Sequence, residues 1–302
     1  MLKRWIGALL VTLLIIGRLP LWAIDGAVYL GVLEQWHPYF VDEKNPTSYQ
    51  ARAAFMHQGK EWSAMPNDAK DQQALAVLSN RFPESITWTI AFDGHNYGQF
   101  KSDRPSPWLH YADVGIYQPE PKTPVRLVKE GATDFHYWDG SPAFRPLVLV
   151  SAPYVKDPNS WKLWHPTRTE FAALFPAFRK AVGAVILNSK EPATLKYPDT
   201  LIILARAYRS NNGNSLVSLQ IDPQHITSDG DMPEENWSDH WFLIRSGEPK
   251  FIGKSMTLID AGDYDNDGFS EVLFHQSGYN YDGYLLLYDQ LQQQAKFGWG
   301  YH

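Results

Sequence analysis

Apolar and polar positions alternate with period two through much of the chain. In "ITWTIAF" the residues Ile86, Trp88, Ile90 and Phe92 fall on one face and Thr87, Thr89 and Ala91 on the other. That pattern predicts a half-buried strand, and Asp93-Gly94 after it is a favoured two-residue hairpin turn. "SLVSLQI" repeats the alternation at Val217, Leu219 and Ile221, and faces "LIILARAY" (201–208) across the turn-rich "RSNNGN". "WFLIR" and "PKFIG", joined by "SGE", form a further hairpin candidate. "PLVLVSA" (146–152) is apolar throughout, which predicts a strand buried on both faces.

The period changes once with clear signals. Thr167 and Glu170 have capping-box spacing, and Phe171, Leu174, Phe175 and Phe178 follow at helical intervals. A helical insertion near 167–181 is expected, kinked or shortened by Pro176, with the aromatic stripe as its core face. A weaker helical pattern covers "KDQQALAVLSNRF". Asp-Gly pairs begin at 25, 93, 139, 229, 267 and 282 without a fixed period, which argues against a strict solenoid. No Ser/Gly-rich linker divides the chain, and "RPSPW" and "QPEPKTPV" read as surface loops. The expected fold is mainly β, built from antiparallel hairpins and blade-like sheets (β-propeller-like), with a β-sandwich-like α+β arrangement as the alternative.

The first residues stand apart. "MLKR" is basic, "WIGALLVTLLIIG" is apolar and "LPLWA" ends on a small residue, Ala23. This is the layout of a secretory signal peptide at 1–23, leaving one mainly-β domain at 24–302 and a secreted or periplasmic location. The apolar run is shorter than the roughly 20 residues a spanning helix needs, and no later segment is apolar enough to span. Cleavage would remove Lys3, Arg4 and Arg18 and no acid, taking the formal charge from −6 to −9. Such an acidic chain is a poor partner for nucleic acid or an anionic membrane. With no cysteine, disulfides, thiolate chemistry and Cys-ligated zinc are excluded.

Charge concentrates in "GDYDNDGFSE" (262–271). Asp263, Asp265 and Asp267 at alternate positions can converge on one point, Gly268 supplies the turn, the carbonyl of Phe269 can add an oxygen, and Glu271 can bind directly or through water. Hard oxygens in this number and charge suit Ca²⁺. Position 12 of an EF-hand would need a glutamate where this chain has Phe274, and the flanks "MTLID" and "EVLF" are strand-like. The stretch 251–289 resembles the calcium loops of the FG-GAP and VCBS repeat families found in integrin-type β-propellers. Phe251 and Gly253 match their Phe-Gly element, and Gly262, Asp263, Asp265, Asp267, Gly268 and Glu271 match the loop. The resemblance implies bound calcium and a four-stranded blade at 251–302, formed by "MTLID", "EVLFHQ", "YLLLY" and "AKFGWGY". A single copy of the loop, with no Gly-Ala-Pro after Phe274, argues against a regular multi-blade repeat. In a closed ring, "AVYLGVL" near the N-terminus would pair with the last strand. The chain as a whole also resembles exported bacterial proteins that end in such a loop, which implies no activity.

Catalytic signatures are absent: there is no Gly-x-Ser-x-Gly, His-Glu-x-x-His, P-loop or Gly-x-Gly-x-x-Gly. His136 in "DFHYWDG" and His240 in "WSDHW" are the histidines best placed beside acids, and "SDGDMPEENWSD" is a second acidic run. Among 12 tryptophans, Trp138, Trp161, Trp164 and Trp237, with Trp108 and Trp241, lie in turn-rich stretches where rings can stack on sugars or anchor a partner. The expectation is an exported calcium-binding β-protein acting as a non-catalytic binding module for a protein or glycan. The alternative is a secreted hydrolase whose carboxylates or histidines converge only in three dimensions.

Overall fold

A computed structural model describes residues 27–35, 49–65, 80, 82–104, 106–110, 113–119, 145–183, 197–225, 238–278 and 281–300. The signal-peptide segment, the second helical pattern through 79, His136, Trp138, Trp237 and most of the second acidic run lie outside them.

The described residues form three antiparallel sheets. The largest contains β1 (Val28–Gln35), β2 (Tyr49–Gln58), β3 (Glu61–Ala64), β4 (Ser85–Phe92), β5 (His95–Asp103), β6 (Ser106–His110), β7 (Asp113–Pro119) and β8 (Leu147–Val150). Its order is β5-β4-β8-β1-β2-β7-β6, with β3 attached to β2. The second holds β9 (Lys162–Leu163), β10 (Ile202–Arg209), β11 (Ser215–Ile221), β12 (His240–Arg245) and β13 (Glu248–Lys254), in the order β13-β12-β11-β10-β9. The third is the meander of β14 (Met256–Gly262), β15 (Glu271–Gly278), β16 (Tyr281–Tyr288) and β17 (Gln293–Gly300).

Local chemistry accounts for the hairpins. Asp93 (φ 50°) and Gly94 (φ 70°) take the left-handed values of a type I′ turn, and Ser246 and Gly247 do the same between β12 and β13. β8 is buried at every position because β1 and β4 pair with both its edges and both its faces are covered. β4 departs from the half-buried expectation: Thr89 and Ala91 are as buried as Trp88 and Ile90, so both faces of this strand are covered. The helical insertion is two pieces, Arg168–Ala172 and Phe175–Val182, with Pro176 in the first turn of the second. A complete capping box joins Thr167 and Glu170.

The four-stranded sheet is the middle layer. Leu273, Tyr284 and Leu286 project into the core shared with the eight-stranded sheet. Their neighbours Val272, Phe274, Leu285 and Leu287 enter the core shared with Leu216, Trp241 and Leu243 of the five-stranded sheet. Burial on both faces explains why "EVLF" and "YLLLY" lack alternation. The far face of the five-stranded sheet is covered by Leu174, Phe175 and Phe178 of the helical insertion. Among the described residues these layers stack face to face and close no propeller ring. β1 accordingly pairs with β2 and β8, not with β17 as ring closure would require.

Candidate functional site

The acidic loop leaves β14 at Gly262 and enters β15 at Glu271. Within it, each aspartate accepts from a backbone amide: Gly268 N to Asp263 Oδ2 (3.0 Å), Asp267 N to Asp265 Oδ1 (3.1 Å) and Phe269 N to Asp267 Oδ1 (2.8 Å). Asn266 (φ 63°) and Gly268 (φ 92°) adopt the left-handed backbone that curls the chain inward. As a result, ligand oxygens of Asp263, Asp265 and Asp267 lie within 4.8 Å of one another. Ligands on opposite sides of a Ca²⁺ ion are separated by about 5 Å, so the three acids fit around one such ion. Asp263 Oδ1 is buried and has no partner among the described residues, an oxygen available to a cation.

The remaining expected ligands are arranged differently. Glu271 is buried at the start of β15, and its Oε2 accepts the Tyr264 amide at 2.7 Å. It is not among the three acids whose ligand oxygens cluster. Phe269 is 42% exposed at the loop surface. Burial raises the Glu271 carboxyl well above its usual range, with Asp265, Asp267 and Asp263 adding to it. Asp263 and Asp265 are raised too, chiefly by burial. His57 opposes the shift of Asp265. Gathering these acids is therefore costly without a cation.

Several contacts tie the loop to distant segments. His57 Nε2 on β2 lies 3.3 Å from Asp265 Oδ2 and packs against Trp62, with ring centroids 5.0 Å apart. Ser270 Oγ donates to Asp157 Oδ1 and accepts from Asn159 Nδ2 (2.8 Å). Asp157 in turn accepts the amides of Asn159 and Trp161 and donates its own amide to Gly94 O (2.7 Å). The loop thus meets β2 and segment 154–161 directly, and reaches the β4–β5 turn through Asp157.

A second polar group lies buried between the eight- and four-stranded sheets. Arg52 Nε donates to Glu34 Oε1 (2.7 Å), Tyr284 OH donates to Glu34 Oε2, and the Arg52 guanidinium stacks 3.8 Å above Trp299. His275 Nε2 approaches Asp282 Oδ1 at 3.6 Å, and burial lowers the His275 pKa. All five titratable side chains belong to residues at most 6% exposed, so the group fixes the approach of the two sheets.

The other sequence candidates are placed as follows. His240 is 2% exposed between Phe178 and Phe251, its Nδ1 2.8 Å from Ser238 O, and burial lowers its pKa. Trp241 lies within β12 and not in a turn-rich stretch, and its Nε1 donates to Met256 O. Trp161 and Trp164 are half-buried on either side of β9, against different cores, and Arg209 stacks 3.4 Å over Trp164. Phe251 and Gly253 lie on β13, outside the sheet that carries the loop. Sequence reasoning missed His57, Asp157 and Glu34, whose partners lie far along the chain. The one local trace is Glu34, a charged residue ending the apolar stretch "YLGVL". Comparison of the chain with protein-family models, curated proteins and solved structures found no match in any of the three.

Proposed function

We propose that the loop 263–271 binds Ca²⁺ and that the ion fastens the four-stranded sheet to the eight-stranded one in an exported, non-catalytic interaction module. The observation that carries this reading is the convergence of Asp263, Asp265 and Asp267 oxygens within 4.8 Å, with Asp263 Oδ1 buried and unpartnered. The resemblance to FG-GAP and VCBS loops supports the choice of ion. Export rests on the N-terminal pattern, and among the described residues no helix is long and apolar enough to cross a membrane. The interaction role draws on surface composition. Among the described residues five large apolar side chains are exposed, and Tyr97, Val155 and Phe269 belong to segments linked through Asn96, Asp157 and Ser270. A protein or glycan partner would dock on that end of the molecule.

Extracellular calcium modules have Kd values on the order of 10⁻⁴ to 10⁻³ M, so about 1 mM calcium adds roughly 0.4–1.4 kcal/mol. For a domain of this size that raises the thermal midpoint by about 1–3 °C. Differential scanning fluorimetry of EDTA-treated protein with added calcium measures it. The wild type should shift upward and Asp265→Ala should not; a wild type insensitive to calcium would reduce the loop to an acidic turn.

A further inference from the structure

Three polar atoms beneath the acidic loop have no hydrogen-bond partner among the described residues: Tyr154 OH, Tyr264 OH and Asp260 Oδ2. Their residues are 2%, 0% and 4% exposed. Buried polar groups in folded proteins are almost always satisfied by protein or by ordered water, and leaving one unpaired is costly. Three together mark a place where something polar is held.

The three belong to one locality. The rings of Tyr154 and Tyr264 lie 5.6 Å apart, tilted by 45°. Both press on Gly262: a Cβ there would stand 2.6 Å from Tyr264 Cε1 and 2.7 Å from Tyr154 OH. Asp260 precedes Gly262 by two residues on β14, so both positions face the same side of the strand. That side is turned toward the eight-stranded sheet, where Asp260 Oδ1 accepts the Gly94 amide at 3.0 Å. Oδ1 also accepts the Ala261 amide, and Arg145 Nη2 stands 3.8 Å from it, so the carboxylate already has a cationic neighbour. The unsatisfied inventory is two phenolic O–H groups and one carboxyl oxygen. A water molecule complements it, since it can accept from or donate to each hydroxyl and can meet Asp260 Oδ2 whether or not that oxygen carries the carboxyl proton. A second cation would duplicate Arg145.

We propose that Tyr154, Tyr264 and Asp260 form an internal solvent site, holding ordered water between the four- and eight-stranded sheets behind the acidic loop.

Tyr154→Phe and Tyr264→Phe separate this from three idle groups. A hydroxyl without a partner only carries a desolvation cost, so its removal would leave stability unchanged or raise it. A hydroxyl bonded to water loses that bond. Thermal unfolding in EDTA, where the ion of the neighbouring loop plays no part, should give a midpoint about 2–4 °C lower for each variant. An unchanged or higher midpoint in both would overturn the proposal. A high-resolution crystal structure of the wild type should show a solvent peak within hydrogen-bond distance of at least two of the three atoms. A dry locality, or a phenol bonded directly to Asp260, would overturn it as well.

Discussion

Asp260 stands on a buried strand with Oδ1 bonded to two amides and Arg145 close by. Burial outweighs these and lifts its carboxyl to about 7, the Arg145 guanidinium pulling the other way. The folded chain therefore keeps a proton that the unfolded chain releases near pH 4. The stability linked to that proton is complete at low pH and is lost as pH rises from about 4 to about 7. Glu271, Asp263 and Asp265 are shifted in the same direction, and a cation in the loop would stabilise their charged forms. The buried His240 and His275, with lowered pKa values, act in the opposite sense as pH rises toward 6.5. The difference is therefore what reports on Asp260: in EDTA, between pH 4.5 and 7.5, the urea midpoint of the wild type should decline relative to that of Asp260→Asn. Equal slopes for wild type and variant would show that Asp260 does not titrate in the folded chain over that range.

At the scale of elements, the central sheet holds the stack because β15 and β16 send successive residues into two different cores. Leu286 is fully buried on the side of the eight-stranded sheet, and Leu286→Ala should cost about 2–5 kcal/mol. Leu163 on the short edge strand β9 is 72% exposed, so Leu163→Ala should stay within about 0.5 kcal/mol. Urea unfolding of the pair compares the two, and similar costs would contradict the layer order. The same elements explain what the sequence discloses. Hairpins are legible because each is written locally, in alternation and in turns such as Asp93-Gly94. The acidic loop is legible because its three aspartates lie within five residues. Which sheet lies beside which is not written locally. Tyr284 meets Glu34 across 250 residues, and nothing near either announces the other. The apolar runs of β15 and β16 state that both faces are covered but not by what. Phe251, matched to the Phe-Gly element beside the loop, lies on β13 in the neighbouring sheet, paired with β12 as its hairpin pattern predicts.

Taken as a whole molecule, the acidic loop is less a hairpin connection than a junction. Asp265 reaches His57 on β2, and Ser270 reaches Asp157, whose amide bonds Gly94 at the β4–β5 turn. If an ion orders the loop, the effect should travel along these bonds, because an anchored Ser270 holds Asp157 and with it segment 154–161. Amides that close this network are Asn96 N to Val155 O (3.2 Å), Asp157 N to Gly94 O (2.7 Å) and Trp161 N to Asp157 Oδ2 (3.1 Å). Local opening free energies set the rate of hydrogen exchange, so each amide reports on its own part of the structure. Millimolar calcium should slow exchange at Asp267, Gly268 and Phe269, and also at Asn96, Asp157 and Trp161, which lie outside the loop in sequence. Slowing at all six would make the ion a fastener between sheets, and the exposed Val155 and Tyr97 would then sit on a surface whose order depends on calcium. Slowing confined to 267–269 would leave the ion a local ornament of one hairpin and sever the calcium site from the proposed docking surface.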